Sequence, residues 1–114
     1  MAKNRIAQVQ ELMKEEVGKI LLREIEMPEN AVVTLTRVDA SPNLQQAKVY
    51  ISVVPDERSK EVMRLLKRNI YHIQQELNEK LAMRPVPKIQ WMAERTAAQA
   101  ERVEQLLEVI KKQR

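Results

Sequence analysis

Cysteine is absent from this 114-residue chain. That excludes a disulfide framework and any thiolate metal site. There is one glycine and one histidine, too few for a glycine-rich phosphate loop and poor material for a metal centre. Phenylalanine is absent, and aromatics make up 3% of the residues. No apolar run approaches the length of a membrane span. The opening M-A-K-N-R leads into a polar amphipathic pattern without the apolar core of a secretory signal. These absences point to a protein with no metal, no cofactor, no small-molecule substrate and no membrane association, located in the cytoplasm. An apolar fraction of 44% argues against disorder, and 114 residues are enough for one domain, 1–114, with a modest core.

The chain does have a local excess of positive charge. Net charge is +4. Residues 56–92 carry eight Lys/Arg against five Asp/Glu, which is three of those four charges. Within that segment V-M-R-L-L-K-R-N-I-Y (62–71) reads as helix with two faces. Val62, Leu66, Ile70 and Ile73 share one side at 100° per residue. Arg64, Lys67, Arg68 and Tyr71, spaced i, i+3, i+4 and i+7, share the other. No acidic residue lies between Val62 and Gln75. Three cations and one aromatic on a single stripe suit a phosphate backbone. A merely solvated helix face has the same composition.

The remaining pattern is orderly. Residues 4–26 form an amphipathic helix with Ile6, Val9, Met13, Val17, Ile20 and Leu21 inward. Gly18 inside it suggests a close approach of helix to sheet. V-V-T-L-T-R-V (32–38) is a β-branched strand, and D-A-S-P-N (39–43) is turn chemistry. In Q-A-K-V-Y-I-S-V-V (46–54), Ala47, Val49, Ile51 and Val53 face the core, with Lys48, Tyr50 and Ser52 opposite. A second helix runs from Ser59 to about Met83, and R-P-V-P (84–87) stops it. K-I-Q-W-M (88–92) is a third strand with Ile89 and Trp91 on one face. Thr96 opens a third helix through a T-A-A-Q capping box, with Ala100, Val103, Leu106, Leu107 and Ile110 as its apolar stripe. The order α-β-β-α-β-α predicts a monomeric α+β layer fold, one face of a three-stranded sheet covered by the first two helices.

Catalytic constellations are missing. His72 has no partner visible in sequence and reads as an exposed or edge residue. Glu15/Glu16 and Asp56/Glu57 lie on solvated helix faces or helix starts. Ser41 and Ser52 lack a nucleophile-elbow context. Trp91 alternates with Ile89 and reads as core. The chain is therefore expected not to be an enzyme.

Three strings carry a family resemblance: R-I-A-Q-V-Q-E-L-M-K-E-E-V-G-K-I-L (5–21), V-D-A-S-P-N-L-Q-Q-A-K-V-Y-I-S-V (38–53) and R-P-V-P-K-I-Q-W (84–91). In this order they resemble ribosome-binding factor A, a bacterial small-subunit assembly factor, from about Arg5 to Leu107. The resemblance implies a type II KH-like domain whose long middle helix is kinked or split. It also implies non-catalytic binding to the small ribosomal subunit and its ribosomal RNA during late maturation and rRNA processing. Nucleic-acid-binding KH domains carry a GxxG loop between two helices. The family has Ala-x-Gly there, and this chain has Asn69-Ile70-Tyr71, without glycine. Either the kink is weaker here or Asn69 supplies it through its tolerance of the left-handed region. Asn43 replaces a usual Asp, and Glu94-Arg95-Thr96 replaces Asp-x-Ser. The RNA-binding residues this reading selects are Arg64, Lys67, Arg68 and Tyr71, widened by Lys3, Arg5, Arg84 and Lys88. Two other readings stay open. One is a protein-interaction adaptor docking through the helix at 97–112. The other is a general KH-like RNA chaperone.

Overall fold

The computed structural model describes residues 2–95, with side chains from Asn4 onward. Helix α1 (Ala2–Glu24) is followed by strands β1 (Val32–Ala40) and β2 (Gln46–Val54). A 3-10 turn (Asp56–Arg58) then leads into helices α2 (Ser59–Arg68) and α3 (Ile70–Lys80), and strand β3 (Lys88–Ala93) closes the sheet. The sheet order is β1-β2-β3, with β1 and β2 antiparallel and β2 and β3 parallel. A parallel pair needs a crossover, and α2 and α3 provide it. This is the α+β arrangement the sequence predicts, and it matches a type II KH-like domain. The expected third helix and its capping box at Thr96 lie outside the described residues.

The core is the inner face of the sheet with the apolar sides of all three helices. Val9, Met13, Val17, Ile20 and Leu21 of α1 are buried, as the 3.6 period requires. So are Val62 and Leu66 of α2, and Ile73 and Leu77 of α3. Ala47, Val49, Ile51, Val53, Ile89 and Trp91 are buried, whereas Lys48 is exposed and Tyr50 half-buried. The expected β2 register is therefore the observed one. Trp91 buries its ring but leaves Nε1 without a hydrogen-bond partner among the described residues.

Strand β1 keeps its apolar side inward by a device that its β-branched composition does not reveal. The pairing slips between Leu35 and Arg37, so Thr36 and Arg37 together face Tyr50. An extra residue inverts the side-chain alternation from that point. Without it, Val33 and Leu35 would share the core face with Arg37 and Asp39. With it, Val38 and Ala40 become buried, opposite Val49 and Ala47, and Arg37 and Asp39 turn outward. The Arg37 guanidinium then lies 3.8 Å from the centre of the Tyr50 ring on the outer face.

Three expectations need correction. Gly18 does not mark a close approach: a Cβ placed there meets nothing within 4 Å. The middle helix is two helices, and the second ends at Lys80 rather than near Met83. Leu81 turns to an extended conformation (φ −92°, ψ 133°) while remaining buried. The break falls on Asn69, but that residue is not left-handed. Its φ of −100° and ψ of 9° belong to the bridge region.

Candidate nucleic-acid interface

Helix α2 presents Arg64, Lys67 and Arg68 to solvent because Val62 and Leu66 turn the opposite side into the core. The break at Asn69 leaves this two-sidedness intact. The Asn69 amide donates to the Leu65 carbonyl at 3.2 Å, and the Ile73 amide donates to the Asn69 carbonyl at 3.0 Å. The Asn69 side-chain Nδ2 also donates to the Leu65 carbonyl at 2.8 Å. The Asn69 side chain thus adds a second donor to a carbonyl that its own backbone amide already reaches. Burial resumes at Ile73, so the exposed positions continue from Arg68 to Tyr71 across the break. Tyr71 is 76% exposed.

These cations share their electrostatic setting with Lys14, Lys48, Lys60 and Lys80, which form no ion pair among the described residues either. Among the described residues, none of Arg64, Lys67 and Arg68 forms an ion pair. Several other cations are engaged: Lys19 with Glu15 at 3.2 Å, Arg23 with Glu76 at 3.5 Å, Arg58 with Glu61 at 3.1 Å and Arg37 with Glu94 at 3.0 Å. Unpaired cations on one helix face keep their full field for an external anion.

Arg5, Arg84 and Lys88 lie apart from this stripe. Arg5 and Arg84 come together at a separate cleft of about 330 Å³, between the start of α1, the β1–β2 turn and the α3–β3 loop. Lys88 begins β3 beside it, its amide donating to the Gln45 carbonyl at 2.9 Å. Arg84 follows the C-terminus of α3 and Tyr71 lies in the first turn, so the length of α3 separates the two groups by roughly 15 Å. The Lys3 side chain lies outside the described residues. Two signals escape a linear reading. Leu44 adopts a left-handed conformation (φ 57°) and lines the cleft. Arg84 folds its Nη1 back onto the Leu81 and Met83 carbonyls at 2.9 and 2.6 Å.

His72 does have a partner. Its Nε2 lies 2.9 Å from Glu24 Oε2 at the end of α1. With Glu76 these two residues bring their ligand atoms within 4.8 Å of one another. They could hold a divalent cation by a His/carboxylate set. Arg23 already neutralises Glu76, so the group acts as a charged seam between α1 and α3. No helix among the described residues is long and apolar enough to cross a membrane.

Fold and surface together define a class: a KH-like α+β domain with a split middle helix and a basic exposed face. The model of the family Ribosome-binding factor A matches residues 5–107, and the chain belongs to that family. The crystal structure of ribosome-binding factor A from Thermus thermophilus superposes with a TM-score of 0.67 at 17% identity, covering 77% of this chain and 94% of that one. A Thermotoga maritima protein, solved in solution and named as a candidate ribosome binding factor A, is 26% identical. Its TM-score is 0.56, with 79% of this chain and 83% of that chain covered.

Proposed function

We propose that this protein is a non-catalytic assembly factor. In this reading it binds the small ribosomal subunit and its ribosomal RNA during late maturation and rRNA processing, as a cytoplasmic monomer. The observation that carries the reading is the run of three exposed cations, Arg64, Lys67 and Arg68, on the outer side of α2, without ionic partners among the described residues. Membership of the ribosome-binding factor A family supports it. The cations neutralise phosphates, and Tyr71, standing free beyond the break, stacks on an unpaired base.

The test is co-sedimentation of the full chain with purified small and large subunits across a salt series. Small subunits should retain the protein and large subunits should not. If about three to five phosphates are contacted, the log–log salt slope should fall near −2 to −5. Equal retention by both subunits would favour a general RNA chaperone. Binding that stays flat with salt would replace RNA by an apolar protein partner.

A further inference from the structure

The cleft at the far end of α3 has features that the basic stripe lacks. Its floor is apolar, formed by Ile6, Leu44 and Met83 with the rings of Pro42 and Pro85. Arg5 and Arg84 line it too, and no acidic residue lines it among the described residues. At about 330 Å³ it lies at the small end of the range for ligand pockets, the size of one nucleotide rather than of a duplex. We propose that this cleft holds a single unpaired nucleotide of the bound RNA, its base on the apolar floor and its phosphate between Arg5 and Arg84. The inference rests on the RNA-binding reading above and names the part of the RNA that is gripped.

Three observations support a formed site over a chance concavity. The first is the fixing of Arg84. Its Nη1 is held by the Leu81 and Met83 carbonyls, which leaves Nε and Nη2 without partners among the described residues, in a set orientation. A guanidinium placed in advance loses less freedom on engaging a phosphate than one on a loose side chain. The loop behind it is tied to α3, since Gln74 Nε2 donates to the Pro87 carbonyl at 3.1 Å and Gln74 Oε1 accepts from the Ile89 amide at 2.8 Å.

The second is the β1–β2 turn. Asn43 Oδ1 accepts from Ser41 Oγ at 2.6 Å and from the Gln45 amide at 3.1 Å. With its oxygen so engaged, Asn43 keeps its Nδ2 as a donor at the cleft wall. Amide side chains such as Asn43 and Gln45 match the hydrogen-bonding edges of a base. The third is Leu44 itself. A leucine at φ 57° is uncommon, and such backbone is retained where the surroundings require it. Here it makes Leu44 part of the apolar floor between two polar neighbours.

The test uses the full chain labelled with nitrogen-15 and three probes: the four nucleoside 5′-monophosphates, inorganic phosphate and a single-stranded uridine hexamer. The amides of Ile6, Leu44 and Gln45 should shift saturably with a monophosphate and with the hexamer, at concentrations of phosphate that leave them unmoved. Arg5→Ala should weaken the monophosphate response at least fivefold with no change in melting temperature. Reversing Arg64, Lys67 and Arg68 should weaken the hexamer and leave the monophosphate response intact. Phosphate alone reproducing the shifts would reduce the site to an anion hole and overturn the proposal. So would a hexamer that binds without moving these amides. The two readings fail separately. Silent cleft amides in a protein that still co-sediments with small subunits remove the cleft and keep the function. Responsive amides in a protein that ignores small subunits remove the ribosomal assignment and keep the nucleotide site.

Discussion

Lys19 of α1 and Arg37 of β1 differ from the cations on the outer side of α2 in what surrounds them. Lys19 sits between Glu15 and Glu16, and the hydrogen bond it donates to Glu15, with both carboxylate charges, raises its pKa above the ordinary lysine value. Arg37 is likewise raised, chiefly by its hydrogen bond to Glu94, and also covers Tyr50. Arg64, Lys67 and Arg68 have no such neighbours among the described residues. Counted by charge, α1 carries five Lys/Arg against four Glu, β1 one Arg against one Asp, and α2 four Lys/Arg against one Glu. Partners add to that difference, because a cation facing its own carboxylates offers little field to an incoming phosphate. Pairing and charge number together favour the outer side of α2 as the proposed interface.

The largest way to break this comparison is charge reversal. Arg64→Glu, Lys67→Glu and Arg68→Glu together should abolish co-sedimentation with small subunits. The circular dichroism spectrum should persist, since exposed substitutions usually alter stability by less than about 0.5 kcal/mol each. Lys19→Glu, on the paired side, should leave binding near normal. A protein that tolerates the triple reversal but not Lys19→Glu would invert the assignment.

Tyr71 sharpens the same contrast from the neutral side. Its ring is exposed beyond the break at Asn69, so Tyr71→Ala should leave the melting temperature unchanged. It should weaken RNA binding by roughly 1–3 kcal/mol if the ring stacks on a base. Unchanged affinity in filter-binding or anisotropy titrations would confine the contact to phosphates.

The region around Gly18 offers a smaller, purely structural test. Its open surroundings mean that Gly18→Ala relieves backbone entropy in a helix without a clash. Stabilisation of about 0.5–1 kcal/mol is expected in chemical denaturation. Destabilisation would restore the close helix–sheet approach that the glycine alone suggests.

How much of this was legible in the chain depends on how far apart the cooperating residues lie. The β2 register was readable because Ala47, Val49, Ile51 and Val53 alternate without interruption. The slip at Thr36 was not, since V-V-T-L-T-R-V satisfies strand propensity in either register, and only the partner strand shows where alternation inverts. The family resemblance places the break within Asn69-Ile70-Tyr71 and leaves open a weaker kink or a left-handed Asn69; the break falls on Asn69 in a bridge-region conformation. Asn69 stabilises an open turn through Nδ2 on Leu65 and needs no left-handed backbone. A lone histidine reads as unpartnered when its carboxylate lies 48 positions away. The cleft joins residues near 5, 43 and 84, so its two arginines were named from the sequence without any sign that they meet.

The smallest expected effect concerns the acid that keeps Arg37 occupied. Glu94 follows β3, and its amide donates to the Ile51 carbonyl at 2.8 Å. Its carboxylate accepts hydrogen bonds from the Thr36 hydroxyl and, at 3.0 Å, from Arg37 Nε. These two bonds, Thr36 first, hold the carboxyl below its ordinary range. A carboxyl with a depressed pKa in the folded chain adds stability above its unfolded pKa of about 4.3, and that contribution disappears as pH falls through the folded value. Arg37 shifts upward, so its share is lost only above the ordinary arginine range and plays no part on the acid side. Glu94→Gln should therefore melt slightly below the parent at pH 7, and the gap should close as pH is lowered past about 4. Exposure of Arg37 keeps the effect modest. The same variant frees a cation on the outer face of the sheet. If pairing alone decides where RNA binds, Glu94→Gln should raise non-specific RNA affinity at low salt while leaving small-subunit binding dependent on α2. A gap that persists unchanged to pH 3 would show that Thr36 holds Glu94 as a neutral acid just as well, and Arg37 would then no longer count as paired.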